Sequence, residues 1–276
     1  PKPEQRDIAL APFDAALARP ADVSMWQAAI AAANGLGDGQ RLLDWAARAE
    51  AQTGLMPAWR VARLTGLRLL GRHGEALAEA RAEQARFPAE GAFANHRAWL
   101  ALHQRQFAEA EQAALAASRL IPHEQTAWAV LATTWRVQDD PRADWLLDHD
   151  RLVMTEDLQV PPGWASLPAF LADLKQVLEA RHHMLAAPPE QTLRGGTQTQ
   201  GDLFATTDPV LIAFREALRR TVETALARLT PQAGHPFLGR LTGRVRFSGS
   251  WSVRLAGQGF HVSHVHPMGW LSSAFY

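Results

Sequence analysis

"LGRHGEALAEARAEQARFP" (residues 70–88) has a counterpart in "LHQRQFAEAEQAALAASRLIP" (102–122), and the relation between the two stretches decides how the first half of this chain folds. A step of 34 residues carries Phe87 and Pro88 onto Ile121 and Pro122, Ala76 onto Ala110, and Ala80 onto Ala114. The same step links Trp26, Arg60, Ala94 and Trp128, and links Gly37 to Gly71. Small residues recur at helical spacing, where two helices can approach closely, and each stretch closes on a proline that a helix cannot continue through. A period of this length marks a stacked helical hairpin whose apolar face is covered only by its neighbours.

With small residues on the second helix and Pro after it, the pattern resembles the tetratricopeptide family of helix-turn-helix repeats over roughly half of the chain. The resemblance implies an α-solenoid with a concave surface on which a protein or peptide could lie. Trp26, Trp99, Trp128 and Trp135 are expected to pack between hairpins, because large aromatics at helical spacing are usually core. The repeat decays after "QDDPRADWLLDHD" (138–150), and "VPPGW" (160–164) breaks any helix. The expected division is therefore a helical repeat domain over 1–158 and a second domain over 159–276.

Composition narrows the chemistry. The chain has 276 residues, 47% of them hydrophobic, enough for substantial cores. Lys plus Arg and Asp plus Glu balance at 28 each, so no net field favours nucleic acid or an anionic membrane, and neither is expected as a partner. No cysteine is present, which excludes disulfides, thiolate metal sites and cysteine nucleophiles. No apolar run approaches the roughly 18 residues of a membrane span, and "PKPEQRDIAL" lacks the apolar core of a signal peptide; a cytoplasmic location is expected.

In the second half, "SLPAFLADLKQVLEARHHML" (166–185) reads as one amphipathic helix within 165–187, on which the adjacent His182 and His183 would point to different faces. "AAPPEQTLRGGTQTQGDLF" (186–204) reads as a polar loop, without the Gly-Lys-Ser/Thr ending of a phosphate loop. "DPVLIAFREALRRTVETALARL" (208–229) restores a helix, with Thr207 or Asp208 as N-cap and Pro209 in its first turn. The period then changes to two in "GRVRFSGSWSVRL" (243–255), and "HVSHVHP" and "WLSSAFY" continue in that style.

"GFHVSHVHPMGW" (259–270) concentrates three histidines. In a strand, residues i and i+2 share a face about 7 Å apart, so His264 and His266 could reach one divalent ion, whereas His261 would join only through a bulge. Other metal folds fit poorly. A cupin would place a glutamate four or five residues after the second histidine, where Trp270 and Leu271 stand, and an amidohydrolase barrel would need far more chain than the ten residues after His266. No His-Glu-x-x-His helix of a zinc protease occurs.

"GSWSVRLAGQGFHVSHVHPMGWLSSAFY" (249–276), together with "QTLRGGTQTQGDLF" (191–204), is similar to a bacterial family of 2-oxoglutarate- and Fe(II)-dependent oxygenases often found behind tetratricopeptide repeats. The resemblance runs from about residue 160 to the end. It implies the first half of a double-stranded β-helix, a jelly-roll barrel with flanking helices, which with the solenoid makes an α + β chain. It also implies Fe(II), 2-oxoglutarate and dioxygen. Such oxygenases hold iron with two histidines and one carboxylate. By motif His264 takes the first histidine's place, His266 stands where an aspartate is usual, and His261 is the runner-up ligand.

A neutral imidazole in place of the carboxylate leaves the metal with one more positive charge. Arg194, Thr197, Gln198 and Thr199 match a family segment near the pocket, Trp251 and Arg254 alternate with apolar neighbours and could face it, and Tyr276 could offer a hydroxyl to the keto acid. The distal histidine and the basic residue for 2-oxoglutarate have no counterpart in "PMGWLSSAFY". The expectation is a fragment that stops inside the barrel and, as given, binds metal weakly and does not turn over. Two other readings stand beside the oxygenase: a non-catalytic repeat scaffold, and an iron enzyme with an all-histidine site that does not use 2-oxoglutarate.

Overall fold

The computed structural model describes residues 3–183 and 192–276. They are largely helical, with one small antiparallel sheet of two strands, an α + β composition. Two compact units divide the chain: residues 1–143 with 265–276, and residues 144–264. The division falls upstream of the expected boundary at 158/159, and the last residues belong to the first unit. Among the described residues no helix is long and apolar enough to cross a membrane.

The first unit contains α1 (Pro3–Ala16), α2 (Val23–Gly35), α3 (Gly39–Thr53), α4 (Pro57–Leu69), α5 (His73–Arg86), α6 (Gly91–His103), α7 (Phe107–Leu120) and α8 (Thr126–Val137). Consecutive helices pack on one another, and α2, α4, α6 and α8 also touch in series. Alanine makes this possible: Ala76 and Ala80 on α5, and Ala110, Ala113, Ala114 and Ala117 on α7, are fully buried where larger side chains would hold the helices apart. Gly39 and Gly66 go further, since a Cβ on Gly39 would lie 2.9 Å from the Gly66 carbonyl oxygen, a backbone atom that cannot swing away. Trp26 and Trp135 lie in the core as expected, the Trp26 indole donating to Gln52 at 3.2 Å, while Trp99 and Trp128 are only half-buried.

What repeats most faithfully is a backbone angle. Gly37, Gly71, Arg105 and Asp139 stand 34 residues apart, and their φ values are 69°, 73°, 58° and 53°. At each, the following N–H reaches the carbonyl five residues back: Asp38 to Ala33, Arg72 to Leu67, Gln106 to Ala101, and Asp140 to Trp135. This left-handed closure satisfies orphan carbonyls at a helix end and reverses the chain into the next helix. The sequence shows the signal only where glycine occupies the position; Arg105 and Asp139 adopt the same angle against their Cβ.

The second unit contains α10 (His149–Leu152), α11 (Leu167–Glu179), β1 (Leu193–Gln198), α12 (Pro209–Leu226), a single 3₁₀ turn (Leu238–Arg240) and β2 (Val253–His261); the short α9 (Arg142–Leu147) crosses the division between units. Ser166 caps α11, its hydroxyl accepting from the Ala169 N–H at 3.3 Å. Asp208 rather than Thr207 caps α12, accepting from Val210 N–H at 2.9 Å with Pro209 behind it. The helices bury Phe170 and Leu174 against Phe204, Leu211, Phe214 and Ala217.

Three expectations are corrected. The helix at 165–187 stops at Glu179, so His182 and His183 lie beyond it; its expected last turn, from Met184, and the start of the expected loop, to Gln191, lie outside the described residues. "LRGGTQ" is a strand, not a loop, because its backbone finds a partner in β2. Conversely, residues 243–252 and 262–276 carry no strand despite their period of two, so among the described residues the sheet has two strands and no more of the expected barrel.

If the left-handed cap governs the hairpins, Arg105→Gly should raise stability by about 0.5–1 kcal/mol and Gly71→Ala should lower it by about 1 kcal/mol. Urea unfolding of the two variants measures both.

Candidate functional site

The two sequence segments that carry the oxygenase resemblance meet each other. β1 and β2 pair antiparallel, Leu193 opposite His261, Arg194 opposite Phe260, Thr197 opposite Arg254 and Gln198 opposite Val253, with a bulge between Arg194 and Gly196. The pairing extends past the strands at both ends. Val262 N–H donates to the Thr192 carbonyl at 3.0 Å, Thr199 N–H to the Ser252 carbonyl at 3.0 Å, and Leu203 N–H to the Ser250 carbonyl at 2.8 Å. Residues 192–204 thus run against 262–250 as a clasp interrupted by that bulge, whose far end is tightened by the Ser250 hydroxyl on Asp202.

Glycine permits the contact. A Cβ on Gly196 would strike the Arg254 carbonyl, and one on Gly259 would strike the Gly195 carbonyl, both rigid backbone atoms. Gly195 itself takes a φ of 68° at the bulge, a conformation open to residues without a Cβ.

His182 joins both strands through its two ring nitrogens. Nδ1 lies 2.9 Å from Thr197 Oγ1 and Nε2 lies 3.0 Å from Ser252 Oγ. Burial first, and then the nearby charge of Arg254 and His183, push its pKa below the ordinary histidine value, so at neutral pH the ring is neutral and one hydroxyl donates to it while the other accepts. Ser252 Oγ against an imidazole is the pair from which a nucleophile could be made, but the chemistry is unfavourable. Nδ1 is backed by a hydroxyl instead of a carboxylate, and Arg254 opposes the imidazolium that proton abstraction would create. His182 therefore works as a clasp between strands. Sequence reasoning considered it only as a metal ligand on a helix; the turn after Glu179 gives it this other role.

Of the residues singled out from sequence, Thr197, Gln198 and Thr199 are gathered at this clasp, with Gln198 and Thr199 buried and Thr199 Oγ1 accepting from Ser252 N–H at 3.0 Å. Arg254 sits on the partner strand opposite Thr197, and Arg194 lies at the other end of the ladder, opposite Phe260. Trp251 is substantially exposed, just before β2 begins.

The histidines are arranged differently from the expectation. β2 ends at His261, so His264 and His266 do not share a strand face. A physical cause is Pro267, which brings no N–H and restricts the residue before it. The rings that come together are those of His261 and His264, 6.0 Å apart between centroids. His261 Nδ1 bonds Thr192 Oγ1 at 2.9 Å, and His264 Nδ1 donates to the Val262 carbonyl at 2.8 Å, which places the His264 lone pair on Nε2, the nitrogen a metal would use. His266 belongs to the other unit, in a turn closed by Gly269 N–H on its carbonyl at 3.1 Å. Tyr276 lies on no strand and is fully exposed, so it does not project from a barrel strand.

Among the described residues no group of three His, Asp or Glu side chains could hold a metal ion. The arrangement therefore does not fit a complete iron centre: two imidazoles approach each other and no carboxylate or third imidazole completes the set. Comparison of the chain with protein-family models gives no match, and neither does comparison with curated protein sequences.

The clasp predicts a sharp mutational response. Gly196→Ala should cost about 1–3 kcal/mol, because the intruding Cβ meets backbone, and His182→Ala about 1–2 kcal/mol for the two hydroxyls left half-buried. Chemical denaturation tests both; a Gly196→Ala variant as stable as the parent would contradict the observed register.

Proposed function

We propose that the second unit belongs to a non-haem Fe(II)- and 2-oxoglutarate-dependent oxygenase domain, and that the helical unit is a tetratricopeptide-like solenoid that binds a protein or peptide partner. The activity would be hydroxylation of a substrate coupled to oxidative decarboxylation of 2-oxoglutarate. One observation carries the reading: "LRGGTQTQGDLF" and "SWSVRLAGQGFHV", separated by some fifty residues, are paired by backbone hydrogen bonds on both sides of the bulge at Gly195. These are the blocks on which the family resemblance rests. Leu255 and Phe260 remain about half-exposed on β2, apolar surface of the kind that further barrel strands would cover.

For the solenoid, support comes from the left-handed cap at a 34-residue step and from the serial contacts of α2, α4, α6 and α8. In this proposal His264 supplies an iron ligand through Nε2, with His266 or His261 as its companion, and the remaining ligand lies outside the arrangement described above. A second reading, a non-catalytic repeat scaffold, draws on the same serial contacts of α2, α4, α6 and α8.

Anaerobic addition of Fe(II) and 2-oxoglutarate separates these readings. An oxygenase of this class should give a visible charge-transfer band that His264→Ala abolishes. Iron binding without the band would point to an all-histidine centre that does not use 2-oxoglutarate. Neither binding nor band would leave the scaffold.

A further inference from the structure

Four partly buried arginines of the helical unit are paired with carboxylates, and Arg6 donates to the Gly37 carbonyl at 3.2 Å. Arg41 meets Asp7, Asp14 and Asp38; Arg60 meets Glu50 and Glu83; Arg63 meets Glu79; Arg97 meets Glu109. Arg68 on α4 differs. Among the described residues its guanidinium meets no carboxylate, and its contact is the face of Trp99, 5.2 Å from the ring centroid. Burial without a compensating acid holds its pKa below the ordinary arginine value, the reverse of the shift at Arg41, Arg60 and Arg63.

The surroundings are equally specific. Trp99 stacks on His103 at 5.2 Å with the rings 7° from parallel, and His73 stands edge-on to both, 4.1 Å from His103 and 5.9 Å from Trp99. His73 Nε2 is fixed by the Arg68 carbonyl at 3.3 Å. His96, one turn before Trp99 on α6, is pushed down to about 4 by burial and by the Arg68 charge, so it is neutral at physiological pH.

A half-buried cation without an anion is costly, and an aromatic face only partly offsets that cost. The guanidinium retains a fork of N–H donors that matches an oxyanion in a bidentate arrangement. Its fixed charge is single, which suits a carboxylate better than a phosphate dianion. The rim is open: His103 is exposed, and Leu69 and Leu70 are each more than a third exposed, so an extended chain could cover the site where a small metabolite would stay largely in solvent.

We propose that Arg68, on the aromatic platform of Trp99 and His103, is the receptor for a carboxylate borne by a peptide segment of a partner protein. This deepens the partner-binding half of the reading above, and it is tested by binding without iron, so the two can fail separately.

The test is a titration of the ¹⁵N-labelled 276-residue chain with N-acetyl-dialanine bearing a free carboxylate, with its C-terminal amide, and with inorganic phosphate. The carboxylate should shift the Arg68 Nε–H and Trp99 indole N–H signals saturably, and the amide should bind about tenfold more weakly or not at all. Arg68→Met should abolish the response while leaving the melting temperature unchanged or raised, because it removes an uncompensated charge and keeps much of the side-chain volume. If Arg68→Met does not fold, Arg68→Lys carries the test: a bidentate receptor weakens, whereas a merely structural cation–π contact tolerates lysine. Equal binding of acid and amide, no saturable shift, tighter binding of phosphate, or unweakened binding by Arg68→Lys would each overturn the assignment.

Discussion

Everything in the helical unit depends on how its helices end. An α-helix leaves its last carbonyls without intrahelical partners, and here the solution recurs at 37, 71, 105 and 139: a residue forced into the left-handed region, followed by an N–H that reaches five residues back. That closure fixes where the next helix starts, and buried alanines then set how near it can lie. At Gly39 and Gly66 two helices approach so closely that a Cβ would meet the facing backbone. Placement of Arg68 beside Trp99 and His103 follows from the same geometry, since these residues lie on α4 and α6, which touch in the series of alternate helices.

Much of this was legible in the sequence, and the illegible parts share physical causes. Pro88 and Pro122, with the alanines 34 residues apart, disclosed the repeat because both the breaker and the small residue are chemically necessary where they stand. The left-handed position could be read at Gly37 and Gly71 but not at Arg105 or Asp139, where tertiary context overrides the preference of the residue. "LRGGTQ" looked like a loop because adjacent glycines are usually turn residues. In this fold they let two backbones touch, a reason that exists only once the partner strand is known.

The C-terminal strands were overread for the opposite reason. A period of two describes a residue pattern, but a strand is a hydrogen-bonding partnership, and residues 262–276 find no ladder partner among the described residues beyond the Val262–Thr192 bond. With the strand ended at His261, the face shared by His264 and His266 vanishes, and the His264 ring stands 6.0 Å from that of His261. A helix through residue 183 would set His182 and His183 on different faces. The helix stops at Glu179, and the neutral ring is left to bind two strands through Thr197 and Ser252. The proposed oxygenase centre thus draws its support from the register of the strands more than from the histidines.

That register is the central claim, and amide hydrogen exchange measures it most directly. Thr199, Leu203 and Val262 donate across the clasp to Ser252, Ser250 and Thr192. Their amides should exchange slowly, together, and far more slowly than those of an unstructured chain. Exchange of all three at the rate of an unstructured chain would show that the two segments do not pair, and the functional reading built on their meeting would go with them.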